Sequence, residues 1–192
     1  TCARVKAISG LSVRVDHDGR ASQALPMTLA SRITRQPRAF DPAAAADLRA
    51  GLPDLGPEVM GLVSASAGCS PYLRGLMQRE ADWLPEAVAD PEAALEAVLK
   101  APEGAAPDGL ALALRAAKRR VALLAAICDL GGVWPLEMVT GALTRLADKA
   151  VHLSLTTLVA EEIRRGKLPG ATPDDAATAG GMVALAMGKM GA

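Results

Sequence analysis

From Asp108 to Gly131 apolar residues return at Leu110, Leu114, Ala117, Val121, Leu124 and Cys128, in steps of four and three. That spacing lays them along one side of a helix and predicts a core-facing element. Gly131-Gly132 stops it, and Pro135 with Glu137 starts another helix whose stripe runs Leu136, Val139, Leu143, Leu146, Ala150 and Leu153. Arg164, Arg165 and Lys167 close this second helix near Gly166, where cations meet the negative end of the helix dipole. Unbroken from Pro135 to Arg165 it spans about 45 Å at about 1.5 Å per residue. Two long neighbours joined by so short a loop pack antiparallel.

Upstream the chain is punctuated by Asp41-Pro42, Ser70-Pro71 and Asp90-Pro91. Each places a capping oxygen before a proline whose fixed φ suits the first helical turn, so each predicts a helix start. Glu92 adds a carboxylate near the last of these starts, Gly68 reads as a C-cap, and Gly75 reads as a glycine that weakens a helix interior.

The two ends of the chain have a different texture. Residues 1 to 26 carry a short alternation at Leu11, Val13 and Val15 and an Asp18-Gly19 turn signal, and match nothing downstream. Met27 reads as a natural start, so residues 1–26 are expected to be a non-native or upstream lead and residues 27–168 a helical domain. Residues 169–181, rich in Pro, Gly, Asp, Ala and Thr, read as a linker. Met182 to Met187 is a continuous apolar run bounded by glycines, the pattern of a strand buried on both faces. A lone strand has no partner, so residues 182–192 are expected to be the first strand and turn of a truncated domain.

Hydrophobic residues make up 51% of the 192 and aromatic ones only 2%, a mixture that favours helices over aromatic-rich strands. The fold class expected is therefore mainly α. Twenty-one basic residues balance twenty-one acidic ones, which excludes a global field drawing the chain to nucleic acid or an anionic membrane. Cys2, Cys69 and Cys128 are odd in number and far apart, against a disulfide framework or a thiolate zinc site, which fits a reducing cytosol. Apolar runs such as Val121 to Cys128 fall short of the roughly 20 residues that cross a bilayer. The start has no apolar h-region of a signal peptide.

Candidate chemistry is concentrated at Gly188-Lys189-Met190-Gly191, where the apolar run enters a glycine-bounded turn with a lysine. Two readings fit, an ordinary strand-to-turn junction and a phosphate loop. A Walker A loop would need Gly where Val183 stands and Ser or Thr where Met190 stands. Arg115, Lys118, Arg119 and Arg120 read as a solvated basic face, with a grip on phosphate or on an acidic partner as the second reading. His152 is isolated from other histidines and cysteines, and no histidine stands near Cys69 in sequence, so neither reads as a metal or nucleophile site. Trp83 and Trp134, two of the four aromatic residues, read as core packing at helix junctions.

In order, Ser70-Pro71-Tyr72-Leu73, Asp82-Trp83-Leu84, Leu114-Arg115 with Arg119-Arg120, Asp129-Leu130-Gly131-Gly132-Val133-Trp134 and Met187-Gly188-Lys189-Met190-Gly191 resemble the bifunctional glutamine synthetase adenylyltransferase and adenylyl-removing enzymes. The likeness covers about residues 28 to 192 and is to the amino-terminal, deadenylylating half of that family. It implies that the Met-Gly-Lys turn opens a nucleotidyltransferase domain similar to DNA polymerase beta, with Gly188, Lys189 and Gly191 contacting nucleotide phosphates. The family pattern has Leu where Met190 stands and Gly where Ala192 stands, and its Asp-x-Asp carboxylates come after the turn. The resemblance further implies magnesium and ATP or ADP as cofactors, glutamine synthetase and a PII-type nitrogen signal protein as partners, and phosphorolytic removal of AMP in nitrogen regulation. Residues 1–192 are then expected to be an inactive fragment with no catalytic residue or metal ligand of their own, located in the cytoplasm. The competing reading is a non-catalytic helical adaptor.

Overall fold

The computed structural model describes residues 14–15, 21–22 and 28–186. Arg14–Val15 (β1) and Ala21–Ser22 (β2) form a two-residue antiparallel ladder, Arg14 opposite Ser22 and Val15 opposite Ala21. A short helix, α1 (Leu29–Arg32), precedes three helices that begin at the three predicted dipeptides: α2 (Pro42–Gly51), α4 (Pro71–Arg79) and α6 (Pro91–Lys100). Asp41 Oδ1 accepts from Ala44 N–H at 3.0 Å, Ser70 Oγ from Leu73 N–H at 3.2 Å and Asp90 Oδ1 from Ala93 N–H at 2.9 Å. Each satisfies an amide that the first turn leaves unpaired. Between them stand α3 (Pro57–Cys69) and α5 (Leu84–Ala89).

A 3-10 turn at Ala101–Gly104 leads to the two long helices, α7 (Leu110–Leu130) and α8 (Leu136–Arg164), the second unbroken over 29 residues. They run antiparallel, since Leu114 and Lys118 of α7 share a groove with Leu143, Leu146 and Ala150 of α8 while residues 131–135 join the opposite ends. Of the α7 stripe, Leu110, Ala117, Val121, Leu124 and Cys128 are buried. Leu123, Ala125 and Ile127 are buried too, because α3, α4 and α6 enclose the second half of α7 from several sides.

The α8 stripe is placed differently from the sequence expectation. Leu136 and Leu143 face outward, and the residues that meet the core are Ala142 with Met138, Val139 and Leu146 beside it. Apolar residues occupy two faces of this helix, and periodicity cannot say which one the neighbours cover.

Glycines decide two close approaches. Gly68 lies within the last turn of α3 instead of capping it, and a Cβ there would stand 2.6 Å from the Asp41 carbonyl oxygen. Gly132, at φ 65, turns the chain after α7 beneath Thr34, whose Oγ1 would lie 2.2 Å from an added Cβ. Thr34 and Arg35 N–H both donate to Gly131 O, at 2.9 and 3.1 Å, sealing the turn against the segment that follows α1.

At the carboxyl end the described residues take other local structure than the sequence pattern suggests. The supposed linker contains a 3-10 helical segment, Pro173–Gly181, packed along α8. Its start is a capping box: Thr172 N–H and Oγ1 both donate to Asp175 Oδ2, at 2.6 and 2.8 Å. The supposed strand is not formed over Met182–Ala186, which is irregular backbone with Val183 79% and Leu185 83% exposed. A strand needs an edge to pair with, and no described element offers one there. The boundary at Met27 and the rest of the apolar run lie outside the described residues.

Candidate functional site

Gly188, Lys189 and Gly191 lie outside the described residues, and the structure describes the shelf that leads to them. Ala179, Gly180 and Gly181 take left-handed backbone at φ 52, 61 and 79, which folds the chain back over α8. Glycine adopts this conformation freely, whereas Ala179 carries a cost of about 1–2 kcal/mol. Buried Ala179, with Val159 buried on α8 and a Met182 N–H to Ala179 O bond of 3.1 Å, holds the turn in place. Residues 182–186 then run beside Asp148, Val151, His152 and Leu155 of α8.

On the next side of α8 a groove of about 620 Å³ faces α6. Its charges are mutually paired: Arg145 donates to both Glu96 oxygens at 2.7 and 2.6 Å, and Lys149 pairs with Glu103. Arg145 holds the Glu96 carboxyl below its ordinary range. The arrangement straps α8 to α6 and the turn after it, and leaves little net charge for a ligand.

The basic cluster of α7 divides in two. Arg115 and Lys118 rim the apolar groove between α7 and α8. Arg119 and Arg120 turn inward onto Glu80, which closes α4 and is only 5% exposed. Arg119 Nε donates to Oε1 at 2.9 Å and Arg120 Nε to Oε2 at 2.8 Å. Burial raises the Glu80 pKa, and the two guanidiniums more than offset this, leaving it below its ordinary value. Arg120 also stacks over the Trp83 ring at 5.1 Å, so half of the predicted solvated face belongs to a part-buried ion triad centred on Glu80.

A second carboxylate, half-buried, joins α1, α6 and the α7–α8 turn. Arg32 Nη1 donates to both Glu92 oxygens at 2.7 and 2.9 Å, and Trp134 Nε1 donates to Oε1 at 2.8 Å. Sequence reading placed Trp83 and Trp134 correctly in the core but missed Glu80, Arg32 and the partners of Glu92. The available signal was the recurrence of charge within otherwise apolar motifs, Glu80 before Asp82-Trp83-Leu84 and Arg119-Arg120 within the α7 stripe.

A family model described as glutamate-ammonia ligase adenylyltransferase matches residues 61–192. The chain belongs to this family. The adenylyltransferase match takes in Glu80, Trp83, Arg119, Arg120 and Trp134, and runs through the Gly188-Lys189 turn. Among relatives, a protein of Rhodopseudomonas palustris is 37% identical over 85% of this chain, and one of Caulobacter vibrioides is 40% identical over 85%. Both are named bifunctional glutamine synthetase adenylyltransferase/adenylyl-removing enzyme. This chain spans 19% and 18% of their lengths. No solved structure gives a significant match.

Magnesium, which the adenylyltransferase resemblance implies, does not fit the described residues: no group of three or more His, Cys, Asp or Glu among them is placed to hold a metal ion. Among the described residues no helix is long and apolar enough to cross a membrane.

Proposed function

We propose that this chain is the helical base from which a glutamine synthetase adenylyltransferase launches its nucleotidyl-transfer domain. The observation that carries the reading is the family match over residues 61–192, which takes in both the helices from α3 onward and the Met187-Gly188-Lys189-Met190-Gly191 turn. In this reading residues 169–181 lead into the polymerase-beta-like domain, and 182–192 become its first strand and turn when the edge they pair with is present. Gly188 and Gly191 let the backbone approach a nucleotide phosphate, and Lys189 supplies the positive charge.

The protein then adds AMP to glutamine synthetase and removes it by phosphorolysis, with ATP or ADP and magnesium, under a PII-type nitrogen signal in the cytoplasm. The relatives' names support the two activities and the protein acted on. Residues 1–192 alone are proposed to do neither, because adenylyl transfer needs metal-held carboxylates and residues 182–192 contain no acidic side chain.

The test has two arms. The 192-residue chain is incubated with adenylylated glutamine synthetase, phosphate and magnesium, and no ADP release is expected. Metal-dependent release abolished by Lys189→Ala would overturn the placement of the catalytic centre outside these residues. In the natural protein carrying this chain, Lys189→Ala is expected to lower the AMP-removing activity at least tenfold with unchanged circular dichroism, and full AMP-removing activity would remove Lys189 from the site.

A further inference from the structure

The seam between α7 and α8 is an apolar groove of about 340 Å³. Its floor is made by Leu114 of α7 and by Leu143, Leu146, Ala147 and Ala150 of α8. Leu143 is 44% exposed, and Leu136, two turns earlier on the same side of α8, is 69% exposed. From Leu136 to Ala150 the apolar strip runs about 21 Å at about 1.5 Å per residue. An exposed strip of this kind marks a contact surface. The seam of two antiparallel helices is where a third helix packs in a bundle, and the small side chains of Ala147 and Ala150 let its backbone come close. Such a helix fills the groove with apolar side chains at i, i+3 or i+4, and i+7.

Charge selects the occupant. Arg115 and Lys118 stand one turn apart on the α7 rim, both exposed, and are the charged residues that line this groove. Among the described residues neither meets a carboxylate. In the groove on the other side of α8 the signs are mixed and paired, Arg145 with Glu96 and Lys149 with Glu103. The chain as a whole carries no net charge, so the α7 rim is a local excess of positive charge beside an apolar floor. Packing anything over that floor removes water from both cations. The complementary occupant therefore has an apolar face and, on one flank, carboxylates about one turn apart, and an occupant without them leaves two desolvated charges uncompensated.

Given the longer adenylyltransferase proposed above, most of the natural polypeptide lies outside residues 1–192, because this chain spans 19% and 18% of two relatives' lengths. A helix tethered to the groove on the same polypeptide meets it at a high effective concentration, which a separate partner has to supply by abundance. We propose that the α7–α8 groove seats an amphipathic helix of the same polypeptide from outside residues 1–192, its apolar side chains on Leu143 and Leu146 and its carboxylates on Arg115 and Lys118.

A carbodiimide condenses an amine and a touching carboxylate to an amide and is itself converted to a urea. In the natural protein carrying this chain it is expected to join Lys118 to an Asp or Glu outside residues 1–192 within one polypeptide. A link from Lys118 to a second copy or to a separate protein, or no link at all, would overturn the proposal. Leu143→Cys is expected to react with a maleimide at least tenfold more slowly in the natural protein than in the 192-residue chain, measured by mass spectrometry on the peptide that carries residue 143. Adding Arg115→Glu with Lys118→Glu is expected to restore most of the fast rate with unchanged far-ultraviolet circular dichroism, because both side chains are exposed. A rate that stays slow in that variant would overturn the acidic flank. Adenylyl removal by the same preparation keeps the two readings apart. An active protein in which residue 143 reacts as fast as in the 192-residue chain overturns the seated helix and leaves the proposed function standing, whereas an inactive protein with residue 143 protected does the reverse.

Discussion

Arg119 Nε reaches Glu80 Oε1 at 2.9 Å, so the end of α4 is bolted to the middle of α7 by a carboxylate that is 5% exposed. Arg120 occupies the other oxygen, and each oxygen of the buried carboxylate therefore receives a charged donor. Removing the carboxylate leaves two guanidiniums facing each other beside Trp83. Glu80→Ala is expected to lose about 2 kcal/mol or more in urea unfolding, towards the lower end for buried pairs because both arginines keep partial contact with water. Glu80→Gln is expected to lose less, since it retains the acceptor oxygen.

The same carboxylate shapes the acid limb of stability. Its folded pKa lies below the ordinary 4.5, so at low pH the unfolded chain binds more protons, and stability rises with pH. The contribution is complete above about 4.5 and is lost as pH falls through the folded value. Glu96, Glu103, Glu161 and Asp175 are lowered too, each by an exposed partner, and add to the limb in the same direction. Thermal melts between pH 3 and 6 are expected to show a shallower dependence in Glu80→Gln than in the parent.

Leu124 is 1% exposed in the enclosed half of α7. Leu124→Asp buries a carboxylate with no partner and is expected to cost several kcal/mol, enough to abolish the cooperative transition of a marginal domain. A melt matching that of the parent would remove Leu124 from the core.

Two glycines are expected to respond with opposite sign. Nothing lies within 4 Å of a Cβ added at Gly75 inside α4, so Gly75→Ala stabilises by about 0.5–1 kcal/mol. Gly132 has φ 65 and Thr34 against it, so Gly132→Ala destabilises by about 1 kcal/mol or more. Chemical denaturation of both variants measures the pair.

The thiols are expected to separate kinetically. Cys69 is exposed, while burial pushes the Cys128 thiol well above its ordinary range. In a Cys2→Ser background a disulfide reagent is expected to titrate Cys69 in the folded chain and Cys128 only after denaturant is added.

Much of the helical plan is local, and local chemistry writes it into the sequence. Asp41, Ser70 and Asp90 cap the helices that begin one residue later because a short oxygen-bearing side chain and a following proline act within a single turn. The stripe from Leu110 to Cys128 and the stop at Gly131-Gly132 likewise needed only periodicity and backbone entropy, and they fixed α7 and its antiparallel neighbour α8. The predicted phosphate-contacting residues, Gly188, Lys189 and Gly191, stood out by residue type and family order alone, and the described residues supply their approach along α8.

Long-range pairing was not legible, because it depends on which surfaces the assembled helices bring together. Glu80 and Arg119 are 39 residues apart and Arg32 and Glu92 are 60 apart, and no local rule links either pair. The basic residues of α7 are alike in sequence, yet two turn inward and two stay at the rim, since only Arg119 and Arg120 meet a desolvated carboxylate. Residues 182–186 read as strand because their run is apolar, but pairing requires an edge, and the described fold offers helices instead. On α8 the sequence supplies two apolar faces of equal quality, and packing against α7 selects Ala142 and Leu146 for the core, leaving Leu136, Leu143, Val151 and Leu158 outside.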